Sequence, residues 1–241
     1  MNLFRSNRGL IPSCDVGELD DLEDIVKATC DLDFVQGFKI GMQIVMRHGL
    51  AKTVSLIRRC SDLPIIYDHQ KFGTDIPEVC GGKVLDDMKE AGIKSVIVFP
   101  LSGSETLEQI ITSCEHLRLV PIVGGEMTHR AYLVSEGGYL ADESPGRIYQ
   151  DAAKLGIDHF VLPGTRLDRA KKYYASLTSA VRDPKFLFPG LGSGQGGDIA
   201  DALKLVQSHP GYAIIGRSVY DAKDRRKAAI ALWNRMSPVE N

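Results

Sequence analysis

Short β-rich apolar runs recur along this chain, each followed by a stretch with helical periodicity, and that alternation leaves few folds open. The eight runs end near Asp15, Ile40, Asp68, Phe99, Val123, Leu162, Phe188 and Ile215. Their mean spacing of about 29 residues is the length of a strand, a helix and two loops. In the first intervening stretch Leu22, Ile25, Val26 and Thr29 keep a spacing of three and four. Leu107, Ile110, Ile111 and Cys114 do the same behind a candidate capping box of Ser102 and Glu105. Eight β/α units in 241 residues fit an α/β fold of the (β/α)8 TIM-barrel kind better than an open doubly wound sheet, which usually has fewer strands. The longest interval, from Val123 to Leu162, carries polar and glycine-containing stretches at 135–139 and 143–146 and predicts an extended loop before a helix. No linker divides the chain, so residues 1–241 are expected to form a single domain.

The 29 Lys+Arg balance 31 Asp+Glu, a formal net charge of −2, so there is no long-range positive field to hold a nucleic acid or an anionic membrane. Any anion has to be met by a local site. The five cysteines are scattered without a C-x-x-C pair, which suggests neither a disulfide framework nor a zinc site. With no window near about 18 apolar residues, these features predict a cytoplasmic protein without a membrane span.

In a (β/α)8 barrel the active site forms at the C-terminal ends of the strands, where the βα loops converge. At those ends stand Asp15, Lys39, Asp68, Lys71 and Asp75, a dense set of acid and base groups. If they converge, the carboxylates keep the lysines protonated and the lysines keep the carboxylates ionised. In a regular strand Asp68 and Lys71 would face opposite ways, so convergence needs a bulge or the start of a turn, for which Gly73 is suited. A second feature is the glycine-rich segment from Pro189 to Asp198, followed after the eighth run by Gly216-Arg217-Ser218. Loops after strands seven and eight are the usual phosphate cradle of such barrels. A dinucleotide-binding reading is disfavoured, because the glycines follow the seventh run and no second mononucleotide half is visible. His69, His129 and His159 lack both metal-ligand spacing and a nucleophile partner, and read as ordinary polar groups. Trp233 reads as packing, Cys14 and Cys80 as bystanders, and the charge run 224–227 as a solvated helix start.

From Leu10 to about Ala229 these segments resemble the orotidine 5′-monophosphate decarboxylase family. The resemblance is carried by Phe38-Lys39-Ile40-Gly41, the Asp/Lys/Asp cluster ending in Asp75-Ile76-Pro77-Glu78, and Gly125-Glu126-Met127-Thr128-His129. Pro163-Gly164-Thr165-Arg166, the segment from Pro189 to Asp198, and Ile215-Gly216-Arg217-Ser218-Val219-Tyr220 complete it. It implies conversion of orotidine 5′-monophosphate to uridine 5′-monophosphate and CO2 in pyrimidine biosynthesis, without metal or organic cofactor. It implies that Asp68, Lys71, Asp75 and Lys39 form the catalytic charge array, in a homodimer whose Asp75 crosses into the partner's site. Asp15 and Lys39 would meet the ribose hydroxyls, Thr128 the pyrimidine, Gln195 both base and phosphate, and Gly216 and Arg217 the 5′-phosphate.

The chain also departs from the family pattern. The usual D-x-K-x-x-D is one residue longer on each side of the lysine, Thr128 and Val79 stand where Ser and Thr are common, and the glycine loop is one residue longer before Gln195. Two other functions compete. Hexulose-phosphate synthases and keto-gulonate-phosphate decarboxylases resemble this barrel but use Mg²⁺ and place a glutamate where this chain has Lys39, whose ammonium would repel the ion. A catalytically silent nucleotide-binding barrel would bind orotidylate without releasing CO2.

Overall fold

A computed structural model of the chain describes residues 3–68, 73–191 and 197–236. Strands β1 (Arg8–Pro12), β2 (Phe38–Gly41), β3 (Ile65–Asp68), β4 (Ser95–Val98), β5 (Val120–Gly124), β6 (His159–Val161), β7 (Lys185–Phe188) and β8 (Gly211–Ile215) alternate with helices. They form one parallel sheet in the order β1-β8-β7-β6-β5-β4-β3-β2. Its two edges, β1 and β2, are brought together by parallel bridges between Leu10 and Val35 and between Ser13 and Lys39. Backbone hydrogen bonds from Leu10 N to Phe34 O (2.8 Å) and from Cys14 N to Lys39 O (2.7 Å) tie the same seam. The result is the expected (β/α)8 barrel. Strand ends match the sequence reading closely except at β1, which stops at Pro12; beyond it Ser13 N still donates to Ile215 O at 2.7 Å and Ser13 bridges to Lys39.

Alternation along each strand sorts the side chains into two sets. Ile11, Ile66, Ile97, Ile122, Val161, Leu187, Tyr212 and Ile214 pack together inside the barrel, and Phe4 joins them, its ring 4.2 Å from that of Tyr212. The intervening residues meet the helices, with Phe38, Ile40, Ile65, Val96 and Val98 in one cluster and Phe160, Phe186, Phe188, Ala213 and Ile215 in another. Helix Leu19–Thr29 buries Leu22, Ile25, Val26 and Thr29, and helix Ser104–Leu117 buries Leu107, Ile110, Ile111 and Cys114, as their spacing predicts. Full burial of such an aliphatic side chain stabilises by roughly 1.5–3 kcal/mol.

Two local expectations are corrected. Helix Ser104–Leu117 begins after Gly103 (φ 122°) without a side-chain cap, so Glu105 falls one position short of where a capping box requires it. The charge run 224–227 is not merely solvated. Arg225 Nη2 lies 2.7 Å from Asp21 Oδ1 and Arg226 Nη1 lies 2.6 Å from Asp31 Oδ1, which fastens helix Arg225–Met236 to the first helix and its exit. Trp233 does pack, stacked on Phe34 at 4.9 Å. Among the described residues no helix is long and apolar enough to cross a membrane.

Candidate active site

Phe38 and Ile40 face the helices, so alternation turns the Lys39 side chain into the barrel. Its Nζ lies 3.1 Å from both carboxylate oxygens of Asp15 and 3.0 Å from Asp68 Oδ2. Three consecutive strands thus contribute to one cluster: Asp15 from just beyond β1, Lys39 from β2 and Asp68 from the end of β3. Ser13 Oγ donates to Asp15 Oδ2 at 2.7 Å. The approach depends on Gly41, where an added Cβ would sit 2.6 Å from Asp15 Oδ1. Burial alone would push the Lys39 pKa down, but the adjacent Asp68 and Asp15 outweigh it and hold the value above that of an ordinary lysine. The group is therefore a fixed ammonium across the neutral range. Because that ammonium already lies against both carboxylates, they do not fit a bridging divalent cation.

Asp68 Oδ1 is buried and finds no hydrogen-bond partner among the described residues, which leaves an acceptor in the barrel mouth. Beside it lies a cavity of about 50 Å³ bordered by Asp68, Ile97, Phe99, Glu126, Met127, Thr128, Val161, Pro189 and Ile214. The structure therefore brings Asp15, Lys39 and Asp68 into contact and sets Thr128 on the same cavity as Asp68. Lys71 and Gln195 lie outside the described residues. Gly73 has φ 93°, and a Cβ there would be 2.8 Å from Phe99 O, so both conformation and space select glycine at this turn. Asp75 is exposed and stands apart. Its Oδ1 accepts from Ile76 N at 2.8 Å, its carbonyl accepts from Thr106 Oγ1 at 3.1 Å, and no hydrogen bond or ion pair among the described residues joins it to Lys39 or Asp68.

The glycine-rich segment begins beside Thr128. Gly190 has φ 80°, and a Cβ there would be 3.1 Å from the Thr128 methyl. Leu191 and Gly197 form a parallel bridge that pinches the base of the segment, and Asp198 caps helix Ile199–Leu205 by accepting from Asp201 N at 3.0 Å. Gly216 follows β8 directly and precedes the short helix Arg217–Tyr220, with Arg217 at the surface.

A further cluster was not singled out from the sequence. Glu126, its side chain fully buried, accepts from Arg169 Nη1 at 3.0 Å, Arg166 Nη1 at 3.4 Å and Tyr173 Oη at 2.5 Å. Glu136 pairs with the same two arginines, and Arg166 holds its carboxyl below the usual carboxylate range. The spacing of Arg166, Arg169 and Tyr173 sets three polar side chains on one face of a helix start, but it does not point back to Glu126.

A (β/α)8 barrel whose strand ends hold a buried ammonium between two carboxylates defines the class: a barrel with its charged site on the C-terminal face. Within that class the chain belongs to the Orotidine 5′-phosphate decarboxylase / HUMPS family, whose model matches residues 8–232. It is 26% identical over 215 residues to orotidine 5′-phosphate decarboxylase of Methanococcus maripaludis, covering 88% of this chain and 90% of the relative. It is 29% identical over 207 residues to that of Pyrococcus abyssi, covering 85% and 88%. Its fold superposes on orotidine 5′-monophosphate decarboxylase of Methanocaldococcus jannaschii, complexed with inhibitor BMP, with a TM-score of 0.82 at 22% identity, over 96% of this chain and 99% of that one.

Proposed function

We infer that this chain is a carboxy-lyase that converts orotidine 5′-monophosphate to uridine 5′-monophosphate and CO2 in pyrimidine biosynthesis. The family match over most of the chain and the curated decarboxylases it resembles support the reaction. The observation that carries the reading is the Lys39 ammonium fixed between Asp15 and Asp68 on the inner wall of the barrel. Loss of CO2 from C6 of the pyrimidine leaves a carbanion without an electron sink. The site has to stabilise negative charge where the carboxylate was and then deliver a proton.

Lys71 takes both tasks in this reading, with Asp68 beside the departing carboxylate and Lys39 holding Asp68 in place. Because the Lys39 contacts exist before substrate arrives, little reorganisation is needed as charge develops. Asp15, about two-fifths exposed, and Lys39 face the ribose hydroxyls. Thr128 meets the base, Gln195 spans base and phosphate, and Gly216 and Arg217 take the 5′-phosphate, whose binding energy would be used to exclude water from the base. Asp75 completes the array from a second subunit. The exposed apolar side chains Met42, Met46, Ile76 and Val79, on segments following the adjacent strands β2 and β3, suit that homodimer contact. The reading places one barrel domain per chain in the cytoplasm.

The test is loss of orotidylate absorbance by metal-free enzyme in chelator. Sustained turnover is expected. Activity that disappears in chelator and returns with Mg²⁺ would favour hexulose-phosphate-type chemistry, and orotidylate binding without CO2 release would mark a silent nucleotide-binding barrel.

A further inference from the structure

The Glu126 cluster lies beside the cavity but does none of the chemistry assigned above. Its charges balance, two carboxylates against two guanidinium groups, and Glu126 itself is completely withdrawn from solvent. A buried carboxylate is tolerated only when it is paired and hydrogen-bonded, and here both oxygens are engaged. The partners Arg166, Arg169 and Tyr173 all come from the entry and first turns of helix Leu167–Ala180. The same entry also grips the backbone around Thr128. Thr165 Oγ1 donates to Thr128 O at 3.2 Å, and Arg166 Nη2 donates to His129 O at 2.8 Å. Residues 126, 128 and 129 are therefore tied through directional bonds to 165, 166, 169 and 173, while Gly190 closes on the Thr128 methyl from the other side.

We propose that Glu126 is a positioning residue for base recognition: through Arg166, Arg169 and Tyr173 it fixes the segment carrying Thr128 at the height where that side chain meets a pyrimidine. Directional polar contacts hold one arrangement, where an apolar contact of the same size would allow the segment to slide. The inference rests on the orotidylate reading of the site. It assigns Glu126 no contact with the reacting atoms.

The experiment compares wild type, Glu126→Gln, Thr128→Ala and the double variant for orotidylate turnover and for binding of uridine 5′-monophosphate and ribose 5-phosphate. Glu126→Gln keeps the shape of the side chain and removes its charge. It is expected to raise the nucleotide Kd and the KM by about tenfold, as loss of a positioned hydrogen bond does, and to leave ribose 5-phosphate binding within about twofold of wild type. The double variant is expected to bind nucleotide no more weakly than Thr128→Ala alone, within about twofold, because both changes remove the same contact. Additive losses, or equal weakening of the base-free ligand, overturn the proposal and mark Glu126 as a residue of general stability. Tyr173→Phe deletes one hydroxyl from the network and carries the same comparison at smaller amplitude if Glu126→Gln does not fold. A wild-type chain that neither binds nor decarboxylates orotidylate overturns both readings, whereas an active wild type with additive variants overturns only this one.

Discussion

Lys39 is an ammonium that the protein interior alone would discharge, and two carboxylates reverse that tendency. A lysine whose pKa is raised on folding contributes its stability in full below the unfolded value, about 10.4, and loses it as pH rises through the folded value. Wild-type urea midpoints are therefore expected to carry no Lys39 contribution to their slope between neutrality and about pH 10, and to fall above it. Lys39→Met should show a shallower alkaline loss, the remainder coming from buried tyrosines such as Tyr149 and Tyr212 whose pKa burial raises; an unchanged slope in the variant would detach it from Lys39. Replacing Asp68 by Asn leaves the ammonium with Asp15 as its remaining ion-pair partner, so a destabilisation of about 1–3 kcal/mol is expected from urea unfolding, smaller than for a buried charge left with no partner. At the far end of the site, Arg217→Ala should weaken nucleotide binding by about 10–150-fold if its guanidinium meets the phosphate, and leave the dephosphorylated nucleoside almost unchanged. An equal penalty for the nucleoside would remove Arg217 from the phosphate site.

The strands place these residues, and one close approach that bears on the site is at the end of β5. A Cβ on Gly124 would lie 2.3 Å from the Phe99 ring, which is buried and borders the cavity. Gly124→Ala is expected to cost about 1–3 kcal/mol of stability from overpacking and, where the displaced ring moves into the cavity it borders, to raise the KM for orotidylate. A thermal midpoint and a KM both at wild-type values would show that Phe99 has other room. This dependence of the site on strand ends explains what the sequence could disclose. Parallel strands buried on both faces write themselves as apolar runs, so the barrel and the placement of Asp15, Lys39 and Asp68 on one face were legible from run ends, whereas their contact stood only as a condition until the structure placed Lys39 between the two carboxylates. The Glu126 cluster was not legible, because a charge just past an apolar run looks solvated until its partners, some forty residues onward, are placed over it. Arg225 and Arg226 misled for the same reason, their partners Asp21 and Asp31 lying at the opposite end of the chain. The position of Asp75 could not be read from periodicity either, since it sits on a turn beyond β3 rather than in a repeating element.

For the molecule as a whole, a barrel closed through its first and second strands exposes the loops of neighbouring strands together on one face. The turn carrying Asp75 and the apolar side chains Met42, Met46, Ile76 and Val79 belong to that region, and Asp75 makes no contact with the Lys39 cluster of its own chain among the described residues. In a two-fold dimer the same patch meets itself, so each site would take Lys71 from one chain and Asp75 from the other. The Lys71→Ala protein loses the proposed stabilising ammonium and proton donor, and its turnover is expected to fall by several orders of magnitude, about 10³-fold or more. Asp75→Asn should be impaired because every site in its homodimer lacks that carboxylate. Mixed in equal amounts and allowed to exchange, the two proteins should form mixed dimers in which one site carries both native residues and the other carries neither. Random pairing makes half of all dimers mixed, so activity should recover to about a quarter of wild type. Subunit exchange verified by native mass spectrometry and accompanied by no recovery would show that Asp75 serves its own chain or none, and the shared site would have to be given up.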